Sequence, residues 1–350
     1  MNSSLPTHRP LLALTLGDVA GVGPEVAVRA ALDPQVRAVA TPLLVGHPDI
    51  VRRAAGLVGA NVEVVEHDAP PRDRARLNRP DIWLDCWQVG GDDVMEVPPA
   101  QPDGRAGLAA FEYLVAAIDA ALAGDVDAIV TAPLNKLALR QAGITHPGHT
   151  EILAERCGVD RHAMMLLLPQ GAGITQPHGL SVAHTTLHTS IASVPRLLDA
   201  ANILSTIELV DGFVRQLGCQ SPRIGVCALN PHAGETGLFG DEEASVIAPA
   251  VEEARQRGID ARGPYPADTL FNRAAVDHEF DGIVAMYHDQ GHIAFKLLGF
   301  DRAVNITLGL PIVRTSPSQG TAFDIAWRGI ARGEGMIGAA ITAAALTTRR

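Results

Sequence analysis

A chain of 350 residues is long for one average compact core and fits two domains or one large α/β unit, either of which can enclose an active site. Its 28 Lys and Arg stand against 39 Asp and Glu, a formal charge of −11 that argues against a surface built to neutralise nucleic acid or anionic lipid, so any receptor for an anionic substrate must be local. The four cysteines, Cys86, Cys157, Cys219 and Cys227, form no C-x-x-C pair; they argue against a disulfide framework or thiolate zinc site and for a reducing, cytoplasmic compartment.

The polar start of the chain runs into Leu11–Leu16, which is too short to span a membrane and has no signal-peptide cleavage pattern, so it is predicted to be the first strand. A helix is expected over Pro24–Leu32, a strand at Pro42–Val45, a surface loop at Val97–Gly104, a helix over Ala106–Ala123 and a strand at Ala128–Thr131. Strands follow at Met164–Leu168 and Leu180–Ala183, a helix at Pro195–Leu217, a strand at Ile224–Leu229 and a helix at Asp241–Gln256. Gly282–Met286 and Ala303–Thr307 complete the strands and Ile337–Thr347 the helices. Hydrophobic content is 47% with only 4% aromatic, and the rhythm of short apolar runs between amphipathic stretches predicts an α/β sheet covered by Ala-rich helices.

The first strand-to-helix turn reads Gly17-Asp-Val-Ala-Gly-Val-Gly-Pro-Glu25, which is neither G-x-G-x-x-G nor a P-loop. Its glycines suit close approach of a phosphate or, equally, a tight turn. Among 13 histidines, His184 and His188, then His232 in Asn230-Pro-His-Ala-Gly-Glu235, then His288 and His292 in Tyr287-His-Asp-Gln-Gly-His292, all follow strand candidates, where α/β proteins put their sites. Three neutral imidazoles with open coordination positions would make a catalytic metal centre; hydrogen-bonded histidines near a cleft are the other reading. His149 and Thr150, at a helix start, are placed to bind an anion with free amides or simply to cap the helix. Lys296, Asn305 and Arg314 together would receive phosphate or carboxylate, although singly such residues are usually surface or ion-pair groups.

Read together, Leu16–Glu25, Pro147-Gly-His-Thr-Glu151, Leu229–Glu235, Gly263–Phe271, Met286–His292, Val304–Pro311 and Arg314-Thr-Ser316 occur in order and resemble the 4-hydroxythreonine-4-phosphate dehydrogenase family, PdxA and its PdxA2-type relatives. The resemblance covers about residues 10 to 335. It implies a two-domain fold like that of isocitrate and isopropylmalate dehydrogenases, with the site in the interdomain cleft: residues 1–131 plus 309–350 as the first domain, and 132–308 as the second, carrying the metal histidines and the dimer interface. It implies metal ligation by His188, His232 and His288, shared between the subunits of a homodimer, with zinc, cobalt, magnesium, manganese or nickel as the ion. Substrate contacts fall on His149, Thr150, Lys296, Asn305 and Arg314, and contacts to NAD or NADP on Gly17, Gly21, Thr307, Leu308 and Ser316. Asp268 and Asp289 are the candidate proton-relaying or metal-tuning carboxylates.

The implied activity is metal-dependent, NAD(P)-linked oxidation of a phosphorylated hydroxy acid, with decarboxylation of the resulting 3-keto acid. Val19, where relatives usually have proline, and Ser318-Gln-Gly-Thr321, where Asp-His-Gly-Thr is more usual, are departures. His184 and His292–Leu298 lean toward the PdxA2-like branch, associated with 4-phospho-threonate and 4-phospho-erythronate. Two alternatives remain: a dehydrogenase of an aromatic cis-dihydrodiol carboxylate of the terephthalate type, and a non-catalytic metal- or ligand-binding paralogue. No nucleic-acid or membrane partner is expected.

Overall fold

The short Val-, Leu-, Ile- and Ala-rich runs bury both faces and form strands, with the amphipathic stretches folded over them as helices. A computed structural model describes residues 9–73, 82–146, 148–171, 174–299 and 302–348. In chain order the elements are β1 (Leu11–Thr15), α1 (Gly23–Leu32), α2 (Pro34–Val39), β2 (Thr41–Gly46), α3 (Pro48–Leu57), β3 (Glu63–His67), β4 (Trp83–Gln88), α4 (Gly104–Ala123), β5 (Ala128–Thr131), α5 (Lys136–Gln141) and α6 (His149–Cys157). Then come β6 (Ala163–Leu168), β7 (Leu180–His184), α7 (Val194–Leu197), α8 (Ala200–Gln216), β8 (Arg223–Cys227), α9 (Ala248–Gln256), β9 (Asp260–Tyr265), α10 (Ala267–Ala275), β10 (Gly282–Ala285), α11 (His288–Gly299), β11 (Val304–Leu308), β12 (Val313–Pro317) and α12 (Glu334–Thr347).

Two compact units divide the chain, residues up to Asp160 together with Leu310–Thr348, and Arg161–Gly309. The division falls at 160/161 rather than at the expected 131/132 because α5 and α6 pack on α4. A Cβ at Gly107 of α4 would overlap the Ala138 carbonyl of α5, so the two helices touch backbone to backbone. In the first unit the strands run β3-β4-β2-β1-β5-β12, all parallel. In the second they run β11-β6-β7-β10-β8-β9; β11, β6 and β7 alternate in direction, and β7, β10, β8 and β9 are parallel. Phe280, Phe295, Leu180, Val182 and Ile283 are at the centre of the second unit's core.

All eight expected strands are present, within a residue or two of their expected bounds. The helix expected over Pro195–Leu217 is two, because Asp199 is extended and its side chain caps α8 by accepting from the Asn202 amide at 2.8 Å. The helix expected from Asp241 opens instead with a wide π turn over Glu243–Ile247, ahead of Pro249 in the first turn of α9. By length and composition α4 is apolar enough to cross a membrane, yet half of its apolar window is buried inside the protein, as in a core helix.

Candidate active site

In the second unit, parallel β7, β10 and β8 deliver their carboxyl ends to one side of the sheet, and the loops that follow carry His188, His288 and His232. The first two loops are laced together: the Thr185 amide donates to the Ala285 carbonyl at 2.9 Å and the Thr186 hydroxyl to the Met286 carbonyl at 2.8 Å. Gln290 ties the first turn of α11 to two strand ends at once. Its Oε1 accepts from the Met286 amide at 2.6 Å and its Nε2 donates to the Ala228 carbonyl at 2.7 Å.

His288 opens α11 with Nδ1 held 2.6 Å from Asp289 Oδ1, an arrangement that fixes the tautomer and leaves Nε2 to face a ligand. Its ring centroid lies 5.9 Å from that of His188. Both rings, with Tyr287 and Asp289, line a cavity of about 500 Å³ that Ile191 and Val194 make partly apolar. His292, one helical turn further along α11, stacks on His288 at 3.7 Å and 10°, and meets His184 at 4.6 Å. Burial and the neighbouring imidazoles hold His184 down to about 3 and His292 down to about 4, so both rings are neutral at physiological pH.

His232 stands apart from this group. It is exposed in the loop Pro231–Gly237, where His232, Ala233, Glu235 and Thr236 all have positive φ, and its ring lies 6.3 Å from Phe239. Buried Glu243 anchors the foot of that loop by accepting the Leu229 and Asn230 amides at 2.8 and 2.7 Å. Among the described residues no three His, Cys, Asp or Glu side chains enclose one ion, so the expected triad is brought together only at His188 and His288. The donor chemistry of that pair suits a divalent ion: two imidazoles on one cavity, one of them oriented by a carboxylate. Asp268 is exposed in the first turn of α10, where its carboxylate accepts from the Thr269 amide. Lys296 lies on α11, and Asn305 on β11 has a buried Oδ1 with no hydrogen-bond partner.

The first unit holds a separate cluster of donors. Arg314, 2% exposed on β12, donates from Nη2 to the Thr131 hydroxyl at 2.7 Å. Burial lowers its guanidinium to about 9, which still leaves it charged at neutral pH. Burial first, then the Arg314 charge, hold the His149 imidazole well below its usual range, against a hydrogen bond to the Ala132 backbone. His149 and Thr150 open α6, whose N-cap Gly148 offers no side-chain cap, so the positive end of the helix dipole and the Arg314 guanidinium act on the same corner.

The glycine turn is wholly buried. A Cβ at Gly17, where φ is +64°, would overlap the Pro133 carbonyl, and one at Gly21 would come within 2.8 Å of the Thr321 carbonyl. Both glycines therefore admit the chain's own backbone at close range. Asp18 in the same turn accepts the Ala20 amide with Oδ1, while its buried Oδ2 has no partner, and burial, with Asp103 adding to it, raises the carboxyl to about 6. Thr307 and Leu308 on β11 and Ser316 on β12 are buried strand residues.

A model of the family described as pyridoxal phosphate biosynthetic protein PdxA matches residues 38–344 of this chain. The chain belongs to the PdxA family. It is 43% identical to the D-threonate 4-phosphate dehydrogenase of Cupriavidus necator over 98% of this chain and 99% of that relative. It is 42% identical to the 4-hydroxythreonine-4-phosphate dehydrogenase of Desulforapulum autotrophicum over 97% and 96%. The crystal structure of 4-hydroxythreonine-4-phosphate dehydrogenase from Klebsiella pneumoniae matches with a TM-score of 0.82 at 39% identity, covering 96% of this chain and 99% of that one. In this PdxA chain Thr131 and Gly291 carry no role legible from the sequence, and His184 and His292 stand there among the strand-end histidines and as marks of a branch, outside the expected ligand set. The i, i+4 spacing of His288 and His292, which puts two imidazoles on one helix face, is the signal that could have found the stack.

Proposed function

We propose that the chain is an NAD(P)-linked, divalent-metal-assisted dehydrogenase of a phosphorylated four-carbon hydroxy acid, of the 4-phospho-threonate or 4-hydroxythreonine-4-phosphate type. The observation that carries the reading is the corner of Arg314, Thr131, His149 and the uncapped start of α6, a set of donors fit for a phosphate or carboxylate. Relatives bearing both substrate names match nearly the whole chain at over 40% identity.

His188 and His288 would hold a divalent ion, which when bound would supply Lewis acidity for loss of the substrate's hydroxyl proton and for the carbonyl that replaces it. Asp289 keeps His288 in one tautomer, and Asp268 is assigned to carrying the released proton to solvent. Lys296, with Asn305 Oδ1 as acceptor, binds the remaining polar groups of the substrate, and the 3-keto acid formed on oxidation loses CO₂. Gly17, Gly21, Thr307, Leu308 and Ser316 are the positions assigned to contact with the nicotinamide nucleotide. His232 stands away from the pair in its own chain, which supports ligation shared across a homodimer. All four cysteines are free thiols, in keeping with work in a reducing cytoplasm.

The test is NAD(P)H formation by the metal-supplemented protein with 4-phospho-threonate, 4-phospho-erythronate, 4-hydroxythreonine-4-phosphate and a cis-dihydrodiol carboxylate, with His288→Ala as control. Metal-dependent turnover of a phosphorylated acid, abolished in the control, is expected. Turnover of the dihydrodiol alone would overturn the phosphate assignment, and turnover of none with either nucleotide would overturn the enzyme reading.

A further inference from the structure

His184 and His292 are outside the expected ligand set, yet the fold is arranged around their contact. His184 ends β7 and is 2% exposed; His292 is in the second turn of α11 and is 8% exposed. The helix approaches the strand so closely that a Cβ at Gly291 would overlap His184 Nε2, so glycine at 291 makes room for that imidazole. His292 Nδ1 lies 3.1 Å from both His184 Nε2 and the His288 carbonyl. A carbonyl only accepts, so both contacts are hydrogen bonds when His292 carries its proton on Nδ1 and shares it with a bare Nε2 on His184. With that proton placed, the His292 ring cannot turn without breaking two bonds, and its face lies parallel to His288 at 3.7 Å.

We propose that His184 and His292 are positioning residues: a hydrogen-bonded imidazole pair, admitted by Gly291, that fixes the ring plane of His288 by stacking and so holds its Nε2 in one direction toward the cavity. The inference deepens the reading of His288 as a metal ligand and rests on it for its purpose, although the geometry of the pair does not. Asp289 restrains His288 at the ring edge; the pair restrains its face, and a ligand needs both to keep one orientation.

Two readouts on the full-length protein separate the inference from the metal reading. The first is the long-range ¹H–¹⁵N spectrum of the metal-free protein labelled on histidine. The wild type is expected to show His288 as one fixed tautomer. Gly291→Ala keeps every histidine in the chain but pushes the His184 imidazole aside, and His292→Leu removes the stack; both should move the His288 shifts toward rotational averaging, while His292→Phe, which keeps a stacked ring, should move them less. Unchanged His288 shifts in Gly291→Ala and His292→Leu would overturn the inference, whatever metal binds. The second readout is cobalt(II) affinity followed by its visible absorption, expected to weaken roughly 10- to 100-fold in Gly291→Ala and His292→Leu. Equal cobalt binding by wild type and His288→Ala would count against the metal reading alone, and the nitrogen shifts would still decide the positioning role.

Discussion

Asp18 is a buried carboxyl whose second oxygen has no partner, so its ionised form is costly in the folded state. The folded carboxyl titrates near 6 and the unfolded one near 3.8, so the folded state holds the proton longer as pH rises. Its contribution is therefore fully present below the unfolded value and is lost as pH climbs through the folded one, up to about 3 kcal/mol. Asp18→Asn keeps an acceptor for the Ala20 amide and removes the charge; relative to wild type it should gain stability between about pH 4.5 and about pH 8 in urea unfolding, and an unchanged difference would refute the argument. Arg314→Lys keeps a charge but loses the planar fork, and should raise KM for the phosphorylated acid roughly 10- to 100-fold with kcat changed far less. An unaltered KM in steady-state kinetics would remove Arg314 from the anion-binding corner.

At the level of elements, apolar runs located their strands and polar ones hid theirs. Val313-Arg-Thr-Ser-Pro317 is buried throughout, against its composition, because Arg314 meets Thr131 and Thr315 donates to the Ala339 carbonyl at 2.9 Å. Trp83-Leu-Asp-Cys-Trp-Gln88 accommodates Asp85 because the Trp83 indole donates to it at 2.7 Å and His67 meets it at 2.8 Å. Such strands are paid for by specific partners, which no periodicity reveals. The break at Asp199 is hidden in the sequence for a related reason: an acidic residue within an amphipathic run reads as a solvated face, whereas this one caps α8. Asp199→Ala should cost about 1 kcal/mol of unfolding free energy. A value within error of zero by urea titration would mean that α7 and α8 gain nothing from the cap.

At the level of the whole molecule, the motifs that marked the family were legible because loops at strand ends keep their residues together in sequence. The site was legible only in part, since ring planes, the Gly291 approach and the separation of His232 are set by packing between distant segments. The second unit also leaves large apolar side chains in water, among them Leu297 at 83% exposure on α11 and Leu238 at 71% in the loop after His232. These flank the histidine-bearing segments, which favours a second copy as their cover. If the proposed homodimer closes over this face, Leu297→Glu should shift it to monomer by light scattering and lower activity with it; a wild type that is monomeric, or a variant that stays dimeric, would remove this face as the interface.

The fit of Gly291 against His184 also bears on descent. Any side chain at 291 evicts the imidazole at 184, so the two positions can change freely only as a pair, and each single change passes through an intermediate with a clash or a void. In a family alignment they should appear as two distant columns inherited together, with an imidazole at the first only where the second is glycine. Lineages that lost the pair would then have had to find another way to hold His288, or to do without holding it.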